Sequence, residues 1–331
     1  FEMERLGLAV AAVVVGVLGA IVIFWVLNKL CELLPRKWEQ RLKPYALLIP
    51  AFAAIGVFLL YPAFETVVAS FRRGRNGQLL EFVGLANYRR LFGDVDFLNT
   101  LINNVLWILV APAAIVASGL LVATLVDKLK PQREKIAKSI IFLPMAISMV
   151  GASTIWNLVY AWRPEGQPQI GLLNQIVVMF GGSPQTWLQI DMFRFNTFLL
   201  MVVYVWTQVG YAMVLLSAAL KGVPEDTIEA GRIDGATERQ IFFRIIFPQA
   251  WPTVITVFIT VLIGVMKIFD IVFAMTNGNF RTNVLGNAFY NMLFRAGDPG
   301  TASAIVVILI LAIIPVLVFQ VRQFRIQEAN S

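Results

Sequence analysis

The sequence predicts an all-α polytopic membrane protein with about seven transmembrane helices, and three features of the chain predict it. Hydrophobic residues make up 58% of the 331 and charged residues only 14%, against about 25% in a soluble domain. Mean hydropathy is +0.75. Apolar runs such as 6–27 hold no charge over 22 positions, more than the roughly 20 that cross a bilayer as a helix. They do not alternate as barrel strands would.

Apolar windows place spans at 6–27, 45–70, 100–126, 136–160, 196–220, 252–275 and 301–321. The first is longer than a signal-peptide core and lacks a basic start, so it reads as a retained span. Loops at 28–44, 128–138, 221–251 and 322–331 carry 16 of the 27 Lys and Arg, and every lysine except Lys267 falls in this set. By the positive-inside rule these loops are cytoplasmic, with the N-terminus outside and the C-terminus inside. Arg72, Arg73 and Arg75 run against the rule. Turn-forming stretches at 164–168, 181–184 and 277–279 break the external loops.

The composition also excludes chemistry. There is no histidine, and Cys31 is the single cysteine. Zinc sites, nucleophile–histidine pairs and an intrachain disulfide all need residues the chain lacks. No phosphate-binding Gly-x-x-x-x-Gly-Lys-Ser/Thr loop occurs. The expectation is therefore no enzyme, no catalytic residue, no metal and no cofactor in this chain. A net charge of +7 is read as membrane topology and contact with lipid headgroups, with no nucleic acid as a partner.

The most informative stretch is the cytoplasmic loop at 221–251. Pro224 followed by Glu225 and Asp226 opens a helix, because proline suits the first turn and acids suit the positive end of the helix dipole. Gly235 is a stop that can turn left-handed, and Thr237 with Gln240 makes a capping box for a second helix. Pro248 and Pro252 are expected to end that helix and open the next span. Two short helices folded about a glycine form a compact knob. Ile228, Ile233, Ile241, Phe242 and Ile245 exceed what a solvated loop exposes, so some of them face the membrane domain or another protein.

These residues carry a resemblance. Glu229-Ala230-Gly231, then three residues, Gly235, nine residues, Ile245, one residue and Phe247-Pro248 resembles the Glu-Ala-Ala…Gly…Ile-x-Leu-Pro loop of binding-protein-dependent ABC importer permeases. Gly231 stands in for the second alanine and Phe247 for the leucine. The stretches 221–226, 269–278 and 84–88 resemble the carbohydrate branch, so residues 45–325 look like an F-type permease of the maltose and alpha-glucoside importers. The resemblance implies the type I ABC importer permease fold: an extra N-terminal helix and cytoplasmic connector at 1–44, a six-helix core at 45–325, and a cytoplasmic tail at 326–331. It also implies a multi-pass protein of a prokaryotic inner membrane. Its partners would be a second homologous permease, an ATPase dimer that binds Mg-ATP, and an extracytoplasmic sugar-binding protein. Glu225, Asp226, Glu229, Ala230, Gly231, Asp234, Gly235, Ile245 and Pro248 would couple the chain to the ATPase. The alternative reading is an ordinary helix–turn–helix between spans.

A sugar needs hydrogen-bonding groups and flat aromatic faces. Tyr204, Thr207, Gln208 and Tyr211 supply both on one face of the fifth span, where Gln208 would be costly against lipid. They line a solute path or glue helices together, and both readings stand. The resemblance adds Val261, Gly264, Val265 and Ile268 of the sixth span as the matching face, where maltose permeases carry Ser and Asn. That departure favours a different or smaller glucoside or oligosaccharide. Lys267 and Asp270, at i and i+3, read as an ion pair or as part of a gate. Trp156, Asn157, Tyr160 and Trp162 read as an interfacial belt. Asn103, Asn104 and Trp107 admit structural and functional readings alike. The function implied is ATP-driven import by alternating access. An ion-coupled secondary transporter and a non-transporting membrane scaffold are the rivals.

Overall fold

The computed structural model describes Glu2 to Asn330, and contacts divide it into two compact units, one up to Val68 and one from Ala69 onward. In the first unit α1 (Glu2–Glu32) packs against α2 (Arg36–Ile55). A π turn at Gly56–Leu60 carries α2 into α3 (Tyr61–Ser70). Pro44 and Pro50 sit inside α2, as prolines do in membrane helices where neighbouring groups re-satisfy the freed carbonyls. This grouping places the second span with the leading helix, whereas the sequence suggested a division near residue 44.

The second unit opens with a feature the sequence reading missed. β1 (Arg72–Arg75) and β2 (Gln78–Phe82) form an antiparallel hairpin in a chain expected to be all helix. Its turn, Asn76-Gly77, has φ of 50° and 76°, the pair of positive values a two-residue hairpin loop requires. Asn87 on α4 (Ala86–Phe92) donates to the carbonyls of Ser70 and Arg72, both at 2.8 Å. Gly300 comes so close to the Arg72 carbonyl that no side chain fits there.

Three long helices make the core: α5 (Val95–Val126), α9 (Phe195–Lys221) and α12 (Phe247–Met266). Trp107, Ile115, Leu200, Met213, Val257 and Val265 are almost wholly enclosed between them. Glycines set the spacing. A Cβ at Gly119 would stand 2.6 Å from that of Ala212, so α5 and α9 meet nearly backbone to backbone.

Among the described residues six helices are long and apolar enough to span a membrane: Ala11–Glu32, Glu39–Ser70, Val95–Val126, Met192–Lys221, Glu238–Met266 and Pro299–Gln323. The expected span at 136–160 is instead two helices, α6 (Pro131–Phe142) and α7 (Met149–Val159). A short 3-10 turn at Leu143–Ala146 extends α6, and the two arms bend by 101°. Pro144 cannot continue the hydrogen-bond ladder, Ile147 is extended, and Ser148 caps α7 by accepting from the Gly151 N–H at 3.1 Å. Counted as one span, this pair makes seven.

The sixth span also differs at both ends. After α10 (Glu225–Ile233) and α11 (Glu238–Ile241), a π turn at Phe242–Ile246 leads straight into α12. Pro248 therefore lies within a continuous helix rather than at a break. The wider π turn absorbs the proline ring and its missing donor. At the other end α12 stops at Met266, and α13 (Asp270–Met275) follows as a separate short helix. The remaining elements are α8 (Leu172–Met179), α14 (Leu285–Tyr290) and α15 (Pro299–Asn330). The expected tail at 326–331 continues α15 as far as Asn330, and Ser331 lies outside the described residues.

Gly210 of α9 packs on the last turn of α6, where an added Cβ would stand 2.5 Å from the Ile141 carbonyl oxygen and 2.7 Å from the Phe142 Cα. Backbone cannot yield as a side chain does. Gly210→Ala should therefore cost about 1–3 kcal/mol of stability, and Gly210→Leu should prevent folding. Gly56→Ala, with open space around it, should change stability by less than about 0.5 kcal/mol. Thermal unfolding of the three variants in detergent measures the contrast.

Candidate functional site

The knob at 221–251 is built as its local signals dictate. Pro224 flanks α10, with Glu225 and Asp226 in the first turn. The helix closes in a Schellman motif: the Ala236 N–H donates to the Gly231 carbonyl and the Gly235 N–H to that of Arg232, each at 3.0 Å. Gly235 has φ of 82°, the left-handed region that glycine enters without cost. Thr237 and Gln240 complete the capping box on α11. Arg232 reaches across the turn to Glu238 at 2.9 Å, and that hydrogen bond holds its guanidinium above the usual range.

Packing inside the knob explains Gly231. A Cβ there would stand 2.6 Å from Ile245 Cδ1, so α10 lies directly on the turn that carries Ile241 and Ile245. Ile241 is fully buried, while Ile228, Phe242 and Ile245 are half-buried. Ile233 is the exception, at 85% exposed. Glu225, Asp226, Glu229, Ala230, Asp234 and Gly235 are exposed as well. A Cβ at Gly235 would meet nothing within 4 Å. Pro248 is exposed on α12, beyond the π turn.

The fifth-span stripe divides in two. Tyr204 and Thr207 are buried. The Tyr204 ring packs edge-on against Trp107 with centroids 6.0 Å apart, and the Thr207 hydroxyl donates to the Tyr204 carbonyl at 2.8 Å, within its own helix. Gln208 and Tyr211 are half-buried, and neither has a hydrogen-bond partner among the described residues. The sixth-span positions are brought to this stripe at one point. A Cβ at Gly264 would stand 2.8 Å from the Tyr204 hydroxyl. Gly264 itself is exposed, whereas Val261, Val265 and Ile268 are buried in the core cluster and present no open surface.

Lys267 and Asp270 do not form the expected ion pair among the described residues. Their spacing was read on a helix, but Lys267 caps α12 at φ −101° and Phe269 at φ −145° is not helical, so the i, i+3 geometry of a helix does not hold between them. Both are exposed. Asn103 and Asn104 hold the loop after α13. Asn103 donates to the carbonyls of Arg281 and Asn283 at 2.6 and 2.8 Å, and Asn104 accepts from the Leu285 N–H at 2.7 Å. Arg194, which sequence reasoning did not single out, donates to Asn103 at 2.5 Å and Asn99 at 2.8 Å. Among the described residues no group of three His, Cys, Asp or Glu side chains is placed to hold a metal.

A polytopic helical domain that carries a folded knob between its fifth and sixth spans is the architecture of a transport permease. Residues 115–325 match the family described as binding-protein-dependent transport system inner membrane component, and the chain belongs to that family. It is 43% identical over 334 residues to the alpha-glucoside transport system permease protein AglF of Rhizobium meliloti, covering 97% of both chains. It is 47% identical over 279 residues to the osmoprotective compounds uptake permease protein GgtC of Synechocystis, covering 84% of this chain and 98% of that one. A chain in the crystal structure of a bacterial ABC transporter that imports the acidic polysaccharide alginate shares the fold. The TM-score is 0.74 at 19% identity, over 88% of this chain and 99% of that one.

The approach of Gly264 to Tyr204 is testable in isolation. Gly264→Ala should cost about 1–2 kcal/mol in the native background, because the new methyl group meets the phenol oxygen. In a Tyr204→Phe background most of that cost should vanish. Thermal unfolding of the four proteins closes the double-mutant cycle, and purely additive losses would show that the two positions do not touch.

Proposed function

We propose that this chain is the permease of an ATP-driven importer that moves a glucoside or small oligosaccharide into the cytoplasm by alternating access. The observation that carries the reading is the exposed surface of the knob: a left-handed turn at Gly235, the exposed acids Asp226, Glu229 and Asp234, and Ile233 at 85% exposure. An exposed isoleucine on a cytoplasmic turn stabilises nothing within the chain, so its place is against a partner. That partner is an ATPase dimer using Mg-ATP, and a second homologous permease and an external sugar-binding protein complete the assembly. The names of the two relatives, an alpha-glucoside permease and an osmoprotectant permease, support a small polar solute as cargo. The N-terminus lies outside the inner membrane and the C-terminus inside.

Gln208, Tyr211 and the Tyr204 hydroxyl are the groups of the stripe that meet the solute, since the Thr207 hydroxyl is spent on an intrahelical bond. Val261, Val265 and Ile268 shape the path from behind, and Gly264 leaves room for it. Lys267 and Asp270 lie at the outer end as separate charges beside the entrance.

Glu229→Arg or Gly235→Asp should leave the protein in the membrane and abolish sugar uptake. At Gly235 a side chain points into open space within the chain, so the folding cost is only the left-handed strain of about 1–2 kcal/mol. What it blocks is the partner's approach. Gly235→Asn, which tolerates that backbone, separates strain from bulk. Normal uptake by Glu229→Arg and Gly235→Asp in assembled complexes would overturn the coupling role.

Gln208→Leu and Tyr211→Ala should each raise the sugar concentration for half-maximal uptake about five- to thirtyfold, the equivalent of one lost hydrogen bond or ring face, with assembly intact. Uptake curves over a wide sugar range measure it. Unchanged curves would return both residues to helix packing.

A further inference from the structure

Where the knob leaves the membrane domain, four charged side chains close into a ring. Asp127 caps the end of α5, Glu134 and Lys138 stand one turn apart on α6, and Lys221 ends α9. Lys138 reaches Asp127 at 2.8 Å and Glu134 at 2.7 Å. Lys221 pairs with Glu134 and lies 3.6 Å from Asp127. The buried Ser217 hydroxyl, one turn back on α9, donates to both oxygens of Asp127 at 2.7 and 2.9 Å and accepts from Lys138. Two anions and two cations alternate, so the ring is neutral. The side chains of Asp127, Glu134 and Lys138 are only 15–22% exposed. Among the described residues no other group of ion pairs joins three helices.

The place of this ring matters because of what lies beside it. α10 packs mainly on α11 and the π turn, and a cleft of about 950 Å³ opens between the knob and the helix ends, lined by Asp127, Lys221, Glu225, Ile228, Arg232 and Phe242. The knob is thus joined to the bundle by its two strands of chain rather than by a packed face. One strand is stiff, because the π turn runs without interruption into α12. The other passes through Gly222, Val223 and Pro224, directly after Lys221. A push on the knob would bend the free end of α9 unless something braces it.

We propose that Asp127, Glu134, Lys138 and Lys221 are that brace, positioning residues that make the ends of α5, α6 and α9 move as one body with the knob. Displacement of the knob then reaches α9, which carries Gln208 and Tyr211, and the last turn of α6, on which Gly210 rests. The inference rests on the coupling role given to the knob above.

The test uses the full complex in liposomes, with its ATPase and sugar-loaded binding protein, measuring ATP hydrolysed and sugar taken up together. Asp127→Asn and Lys221→Gln keep shape and hydrogen-bonding capacity while removing charge. Each should lower sugar moved per ATP by about tenfold while hydrolysis stays within about twofold. The double variant Asp127→Asn with Lys221→Gln removes one charge of each sign and leaves Glu134 and Lys138 paired, so its ratio should fall no further than about the tenfold of either single variant. An unchanged ratio in both single variants, or losses that multiply in the double variant, would overturn the brace. So would a parallel fall of uptake, hydrolysis and complex yield, which marks simple loss of stability. Gly235→Asp runs alongside: if it transports normally, the coupling role of the knob fails, whereas if it is dead and Asp127→Asn retains its ratio, only the brace fails.

Discussion

Lipid offers no hydrogen bonds, so a chain that leaves helical geometry at membrane depth must satisfy its backbone from within. The second unit meets this demand at two of its irregularities. At the bend between α6 and α7, Ser148 caps the new helix, and Gly210 lets the α9 backbone close over the last turn of α6. In the loop after α13, where Asn277, Phe280 and Arg281 all take positive φ, side-chain amides do the work that a helix would have done. Asn103 binds two carbonyls, Asn196 the carbonyl of Phe280, and Asn104 the N–H of Leu285. Thr276 and Thr282 tie the loop to itself at 2.6 Å. The asparagines of α5 and α9 are therefore structural first.

The same demand makes α9 the central strut. It meets α5 at Gly119, the α6 turn at Gly210 and α12 where Tyr204 faces Gly264. Three close approaches, each set by a glycine, leave little room for the helix to deform along its middle. Its free end is the part that would flex, and that is where the four-membered ion ring lies. On the proposed reading, rigidity in the middle and bracing at the end would together give a lever between the knob and the half-buried Gln208 and Tyr211.

Legibility in the sequence follows the range of the interactions. The knob was readable almost residue by residue, because Pro224, the acids after it, Gly235 and the Thr237–Gln240 box act within a turn or two. The uninterrupted spans were readable from hydropathy alone. The bend was not, since Leu143-Pro144-Met145-Ala146-Ile147 is as apolar as a helix and an averaging window passes over it. Proline misled in both directions. Pro144 breaks a helix read as continuous, while Pro248 sits in one read as ending, because a π turn took up its ring. The hairpin had its signal in Asn76-Gly77, outweighed by an all-helix expectation. The ion ring could not be read, as Asp127 and Ser217 are 90 residues apart and only the fold brings them together.

The divided stripe bears on how selectivity would arise. Four polar or aromatic groups at helical spacing suggested a shared surface, yet Thr207 is already satisfied by its own helix, while Tyr204 packs its ring on Trp107 and keeps a hydroxyl with no hydrogen-bond partner among the described residues. On α12 and just beyond it the matching positions are aliphatic and enclosed, apart from Gly264. Hydrogen-bonding capacity left open at this junction therefore lies on the Tyr204 hydroxyl, Gln208 and Tyr211, within two turns of a single helix. A long oligosaccharide needs polar partners along several units, since each hydroxyl stripped of water without replacement costs about 1–3 kcal/mol. Three groups on one helix can satisfy a single small glycoside and little more. On the proposed reading, this chain alone would favour small cargo, and any wider recognition would have to come from the second permease across the path.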